Sequence, residues 1–408
     1  MLVYSIVFPL YVLAICIASP FSRKLRQMLG GHARICSTLR EKVDMQAQYL
    51  WFHASSLGEF EAGRPLLEQI HREYPQYKIL LTFFSPSGYE LCKDYKEADI
   101  VCYMPFDFTI AMRRFLSLVP VRKAFFIRYE FWPKTLRLLA GRGIETYSVS
   151  SIFRDCQFFF SRFGGFYRRA LRYFTHLFVQ DENSRRLLES IGITAVTVTG
   201  DTRTDRVIQI AEAAAPHSLV GKFAGNGPVC VAGSSWPSDE DVFIPYFIHN
   251  RSWKLVIAPH VISENHLSEI ERKLEGLKHI RLSEATEENV CDADVLIINC
   301  FGLLSSIYRY GQVAFIGGGF IDGIHNVLEA AVYDVPTVFG PNHQEFREAG
   351  ELIGLGGAFV VTDANSFRML MDKFISDPAS LKAAGRAAGA YVMESKGSTD
   401  RIISELGL

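Results

Sequence analysis

Several patterns that announce large enzyme classes are missing from this sequence. The eight cysteines (Cys16, Cys36, Cys92, Cys102, Cys156, Cys230, Cys291 and Cys300) never fall as C-x-x-C, which argues against a zinc ribbon or a thioredoxin-like centre. Their scatter, with Cys102 and Cys300 in apolar runs, fits buried free thiols in a reducing compartment better than a disulfide framework. There is no H-E-x-x-H and no Walker lysine, and no G-x-G-x-x-G follows an early strand. Zincin, P-loop and simple dinucleotide readings are therefore poorly supported. Histidines and aspartates do not cluster, so no metal site is expected. Net charge is nearly absent, at −1 over 408 residues, so nothing points to nucleic acid as a partner. Short repeats and low-complexity tracts are also missing.

Charge is missing in a second sense at the start of the chain. Residues 1–18 hold no charged side chain and are apolar apart from Ser5 and two tyrosines, with Pro9 among them. About 18 such residues is the short end of what crosses a bilayer. Arg23, Lys24, Arg26 and Arg34 follow, which places everything after residue 22 on the cytoplasmic side. A cleaved signal peptide is disfavoured, because the basic residues come after the apolar core. A buried core helix is an alternative. A membrane anchor over residues 1–21, spanning or dipping in from one face, is the expectation. Residues Arg162, Arg168, Arg169 and Arg172, interleaved with Phe163, Phe166, Tyr167 and Tyr173, read either as a solvated helix face or as a contact for anionic lipid.

The whole sequence is that of a folded protein, 49% hydrophobic and 21% charged, and too long for one core. Strand-like runs alternate with helical spacing. Strands are expected at 49–53, 78–84, 100–104, 124–127, 145–150, 176–180 and 196–199, then at 229–232, 254–258, 295–299, 313–316, 337–339 and 359–361. Repeated βα units imply largely parallel sheets with helices on both faces. The join at 200–227, with Pro216, Gly221, Gly225 and Gly227, reads as a loose hinge. The expected domains are 22–208 and 209–390, followed by a helical segment 391–408 that crosses back to the first domain. Two doubly wound halves place a ligand cleft between them, at the carboxyl ends of the strands.

Motifs after strands therefore matter most. In residues 53–59, HASSLGE, Glu59 falls where a turn becomes a helix. It serves there either as a general base or as the partner of a Ser55 or Ser56 cap. Glu61 is its rival for the base role. Residues 82–88, TFFSPSG, suit an anion or an ordinary turn. Arg128 and Glu130 in RYEFWP line the cleft or form a structural ion pair near a tryptophan. Ser234 and Ser235 in GSSWPSDE suit a phosphate or a sugar carboxylate, or simply cap a helix. His260, after Pro259, is placed for a base or phosphate contact, or is structural. The densest stretch is 313–341, VAFIGGGFIDGIHNVLEAAVYDVPTVFGP. Gly317, Gly318 and Gly319 form a turn, a helix opens at His325 and Asn326, and Glu329 lies one turn in, within reach of a ribose. A helix opening after a glycine turn suits a phosphate.

In their order along the chain, HASSLGEFEAGRPLL, TFFSPSGYE, RYEFWP, VQDENSRRLLESIG, GSSWPSDE, APH and FIGGGF…HNVLEAA…PTVFGP resemble the 3-deoxy-D-manno-octulosonic acid (Kdo) transferases of lipopolysaccharide synthesis. The likeness runs from the N-terminal segment to about residue 355. It implies a GT-B glycosyltransferase of two Rossmann-like domains, inverting, free of metal and cofactor, with CMP-Kdo as donor. The implied acceptor is the lipid A precursor at the cytoplasmic face of the inner membrane. Glu59 matches the family's base. Ser234, Ser235, Pro259, His260, Gly318, Gly319, Asn326 and Glu329 match its donor site. Acceptor contacts are expected from Ser56, Gly58, Ser85, Ser87, Arg128 and Glu130. Two segments depart from the family pattern. GDTRTD (200–205) stands where many members carry G-N-x-K-x-D, and Arg128-Tyr129 where many read E-T. A nucleotide-sugar epimerase, another lipid glycosyltransferase and a non-catalytic nucleotide-sugar-binding membrane protein are the competing readings.

Overall fold

The computed structural model describes residues 2–408; Met1, first residue of the expected anchor, lies outside them. The chain divides into two compact units. Unit 1 runs to Arg206 and takes up Lys396–Leu408, and unit 2 spans Val207–Ser395.

Unit 1 is built on seven strands: β1 Gln48–Ala54, β2 Tyr77–Phe83, β3 Ile100–Tyr103, β4 Val121–Ile127, β5 Glu145–Ser151, β6 His176–Val179 and β7 Val196–Val198. They form one parallel sheet of order β3-β2-β1-β4-β5-β6-β7. Period-two alternation explains why both faces are covered. Tyr49 and Trp51 of β1 enter one apolar layer with Ala124 and Phe126 of β4. Leu50, Phe52 and Ala54 enter the opposite layer with Phe125 and Ile127. The strand order reverses between β1 and β4, and that switch point is where an open α/β sheet receives ligands.

Unit 2 repeats the plan with β8 Val229–Ser235, β9 Lys254–Pro259, β10 His279–Arg281, β11 Val295–Ile297, β12 Val313–Ile316, β13 Thr337–Phe339 and β14 Ala358–Val360. All are parallel, in the order β10-β11-β9-β8-β12-β13-β14. Here the order reverses between β8 and β12. Strand β10 was not expected. Its three residues carry one apolar side chain between His279 and Arg281, too short a run to show a period.

Three sequence expectations need correction. The join at 200–227 is not a loose hinge, since it holds helices Thr202–Ala213 and Ser218–Ala224. Gly221 sits inside the second helix, and Gly225 takes φ +55° and closes it. The helix expected to open at His325 is a single turn, Leu328–Ala331. Cys300 is exposed, whereas Cys92, Cys102 and Cys230 are buried free thiols.

The N-terminal helix α1 (Leu2–Ala18) is docked on unit 1 by one stripe. Tyr4 donates to Asp107 Oδ2 at 2.8 Å, and Phe8 meets Phe108 and Trp132 edge-on at 5.5 and 6.1 Å. The rest of α1 faces outward, with Ile6, Val7, Leu10, Leu13 and Ile17 all more than half exposed. The window Tyr4–Phe21 has a mean hydropathy of 1.9. Helix α2 (Arg23–Lys42) follows, capped by Ser22 Oγ accepting from Leu25 N.

The last helix, Ser398–Glu405, packs on unit 1. Asp205 accepts from Gly397 N, Thr399 N and Thr399 Oγ1, each at 2.7 Å. Buried Lys123 donates to Leu406 O at 2.5 Å. Ile402 and Leu406 complete the apolar layer beneath β1 and β4.

Candidate functional site

At the switch point of unit 1, β1 ends in Ala54 and helix α3 (Leu57–Glu73) begins three residues later. Ser56 is the N-cap and Glu59 the third helical residue. Ser56 N donates to Glu59 Oε2 at 2.9 Å, and Ser56 Oγ also meets that oxygen. The capping alternative is thus realised, through one carboxylate oxygen. Oε1 has no hydrogen-bond partner among the described residues, and Glu59 is partly exposed. Glu61 is differently placed. Arg206 Nε donates to its Oε2 at 2.8 Å and Arg64 Nη1 to its Oε1 at 3.3 Å. With a guanidinium on each oxygen, Glu61 is a poor proton acceptor.

Behind this turn lies a buried polar chain. His53 is fully buried, its Nδ1 2.9 Å from Thr82 Oγ1 and its Nε2 3.3 Å from Glu130 Oε2. Trp132 Nε1 donates to the same Glu130 oxygen at 2.7 Å. Burial raises the pKa of Glu130, but hydrogen bonding and charge from His53, with hydrogen bonds from Ser55 and Trp132, hold it below the usual carboxylate value. Ser85 caps the helix Pro86–Cys92 and pairs with Ser87 through their hydroxyls at 3.0 Å.

The two departures from the family pattern meet in space. Arg128 Nη2 lies 3.4 Å from Asp201 Oδ2, and Arg203 clasps the same oxygen from Nε at 2.8 Å and Nη2 at 2.7 Å. Ser150 Oγ donates to Asp201 Oδ1 at 3.2 Å. Burial raises the Asp201 carboxyl, but Arg203 and Arg128 outweigh it and hold the pKa at about 2. Arg128 and Ser150 both occupy the left-handed region, with φ of 62° and 56°. Such backbone strain in non-glycine residues costs on the order of 1–3 kcal/mol and persists only where surroundings enforce it. Here Val149 O holds Arg128 N at 2.8 Å, and Arg128 O holds Ser151 Oγ at 2.7 Å. The sequence signal for this cluster was the pair of departures from the family pattern, at Arg128 and at Arg203.

In unit 2 the switch point lies between Ser234–Trp236, at the end of β8, and Gly317–Gly319, after β12. The glycines are required by backbone packing. A Cβ on Gly317 would come within 2.1 Å of Ser234 O, and one on Gly319 within 2.5 Å of Gly340 N. Asp239 Oδ2 accepts from Trp236 N at 2.9 Å and Gly318 N at 2.8 Å, tying the two loops together. Ser235 is buried and its hydroxyl donates to Glu240 Oε1 at 3.0 Å, an oxygen shared with His266 Nε2 at 2.9 Å. Three rings stack beside these loops. Trp236 and His260 lie 4.7 Å apart at 24° and His260 and His325 4.5 Å apart at 25°. Trp236 Nε1 is 3.4 Å from His325 Nε2. Burial, with the neighbouring His260, lowers the His325 pKa to about 4, so its ring is neutral near pH 7. Sequence reasoning singled out His260 but missed the stack, because its members are 89 residues apart.

Asn326 Oδ1 accepts from Leu328 N at 3.1 Å and its Nδ2 donates to Glu329 Oε1 at 3.2 Å. Glu329 Oε2 accepts from Ser305 at 2.7 Å. A four-residue helix gives little macrodipole, so a phosphate here would rely on local donors. Of the basic cluster in unit 1, Arg168 binds Phe159 O and Ser161 O, and Arg172 binds Ile191 O, which ties down loops.

Residues 26–206 match the family model described as 3-Deoxy-D-manno-octulosonic-acid transferase (kdotransferase). The 3-deoxy-D-manno-octulosonic acid transferase of Bordetella pertussis is 28% identical over 378 residues, covering 88% of this chain and 86% of its own length. That of Aquifex aeolicus is 25% identical over 316 residues, 76% of this chain and 80% of its own. That of Rickettsia felis is 26% identical, and the match spans 66% of its length. Among solved structures, UDP-GlcNAc 2-epimerase from Neisseria meningitidis bound to UDP-GlcNAc superposes with a TM-score of 0.62 at 13% identity, covering 88% of this chain and 98% of that one. The likeness is one of fold, and the fold is the GT-B kind.

Proposed function

We propose that this chain, a glycosyltransferase related to the 3-deoxy-D-manno-octulosonic acid transferases, moves Kdo from CMP-Kdo to an acylated, phosphorylated glucosamine disaccharide of the lipid A precursor type. The observation that carries the reading is Glu59 at the switch point of unit 1, with one carboxylate oxygen in the cap and the other unpartnered. In the proposed step the acceptor's primary hydroxyl gives its proton to Glu59 as its oxygen bonds to the anomeric carbon of Kdo. The bond from that carbon to the phosphate oxygen breaks and CMP leaves with the electron pair. One displacement inverts the anomeric centre. General-base help of this kind is worth about 10²–10⁴-fold. His53 and Glu130 hold the turn from behind, and Arg128 and Arg203 offer positive charge to a phosphorylated acceptor.

Unit 2 is read as the donor unit. Its neutral stack of Trp236, His260 and His325 suits a cytosine ring, and Glu329 suits a ribose. Helix α1, held to unit 1 through Tyr4 and Phe8, is read as an anchor lying in one leaflet. The rest of the chain is read as lying at the cytoplasmic face of the inner membrane, where anchoring raises the effective concentration of a lipid acceptor.

The test is incubation with CMP-Kdo and tetraacylated lipid A precursor. Release of CMP that depends on the lipid, with a product heavier by whole Kdo units, is the expected result. Consumption of the nucleotide sugar without acceptor would instead indicate an epimerase-like reaction, and binding without turnover a non-catalytic role.

A further inference from the structure

One cavity of unit 1 has no part in the reading above. Between α2, the loop after β3 and the helix Thr109–Leu118 lies an open groove of about 410 Å³, a volume typical of small-molecule sites. Ile35, Cys36, Phe106, Phe108, Ala111 and Phe115 form most of its wall. His32 completes it, its ring flat on Phe106 at 3.9 Å and 6°. Burial lowers the His32 pKa to about 4, so that wall is uncharged near neutral pH. No carboxylate lines the groove. Its one permanent charge is Arg114, an exposed cation.

Residues of the groove wall continue into other features. Ile110 is 82% exposed, and Phe108 meets Phe8 of α1. Phe106 meets Phe84 at 6.0 Å, and Phe84 immediately precedes Ser85. Phe84 in turn meets Trp132 at 4.9 Å, and Trp132 donates to Glu130. An apolar path thus runs from the docked stripe of α1 to the residues assigned to the acceptor.

We infer that this groove holds one acyl chain of the acceptor lipid, with Arg114 facing the lipid's anionic part. The inference rests on the acceptor reading of the proposed function and deepens it, from a sugar site to a site that measures chain length. Each methylene buried multiplies affinity about fourfold, so a shortened chain should be a markedly poorer substrate.

The experiment uses the full chain with CMP-Kdo and two detergent-dispersed acceptors, the tetraacylated precursor and an analogue with shortened chains. The expected preference in kcat/KM for the long-chain acceptor is at least tenfold. Ala111→Phe, which narrows the groove, should cut that preference about tenfold. Ile110→Asp, at an exposed position that folding tolerates, should do the same. An unchanged preference in the folded variants overturns the inference. A diazirine placed on the acceptor's acyl chain should label residues 105–115. Labelling confined to α1, or equal labelling by a diazirine phosphatidylglycerol, also overturns it. Failure of the wild type to use either acceptor rejects the glycosyltransfer reading instead, and labelling by the diazirine acceptor then decides the groove by itself.

Discussion

Glu59 is asked to cap a helix and to take a proton, and the two tasks use different oxygens. Replacing it with glutamine keeps an acceptor for Ser56 N but removes the base. Glu59→Gln should therefore lower transfer by about 10²–10⁴-fold while CMP-Kdo binding, read by calorimetry, stays near wild type. Its thermal midpoint should fall little, since a lost cap costs only about 1 kcal/mol. Near-normal turnover would leave the residue as a cap alone. Asp201 makes the second residue-scale prediction. Its folded pKa of about 2 lies below the unfolded value near 3.9. Its stabilisation is therefore complete above about pH 4 and is lost as pH falls through about 2. The difference is worth roughly 2 kcal/mol. Asp201→Asn should lose about that much in urea unfolding at pH 7, and the gap from wild type should narrow below pH 4. Arg128 and Arg203 were separately legible as departures from a pattern. Their meeting on Asp201 was not, because it depends on β4 and β7, with β5 and β6 between them, ending on the same side of one sheet.

At the scale of elements, most strands were legible because buried parallel strands are short apolar runs between turn residues, and 313–316 and 337–339 were found to the residue. What failed had weak local signals. The join at 200–227 looked loose because Pro216 and three glycines fall there, yet tertiary packing of Val207, Val220 and Phe223 makes its flanks helical. The helix expected to open at His325 and Asn326 begins only at Leu328, and Asn326 Oδ1 accepts from Leu328 N ahead of that single turn. The glycines of 317–319 were read as a turn before a phosphate-binding helix, and the structure adds the backbone contacts that require Gly317 and Gly319. Gly317→Ala should accordingly destabilise unit 2 by about 1–3 kcal/mol and broaden its amide exchange. Gly58→Ala makes the contrast. A Cβ there finds its nearest neighbour, Ser56 Oγ, at 3.8 Å, and alanine favours the helix by about 0.5–1 kcal/mol. Equal melting losses for the two variants would refute the packing argument.

For the whole molecule, the N-terminal helix is part of unit 1 as well as an expected anchor. Removing residues 1–21 should release the protein from membranes in a flotation assay. It should also lower the thermal midpoint, because Asp107, Phe108 and Trp132 lose Tyr4 and Phe8. Release without any loss of stability would mean that the stripe contributes nothing to the fold. The other terminus carries a different consequence. Because Ser398–Glu405 is latched to Asp205 and Lys123, unit 2 is an insertion within unit 1, entered at Val207 and left at Ser395. Unit 1 therefore lacks part of one apolar layer until Ile402 and Leu406 dock on it. A chain truncated after Ser395 should thus be protease-resistant in unit 2 and nicked in unit 1.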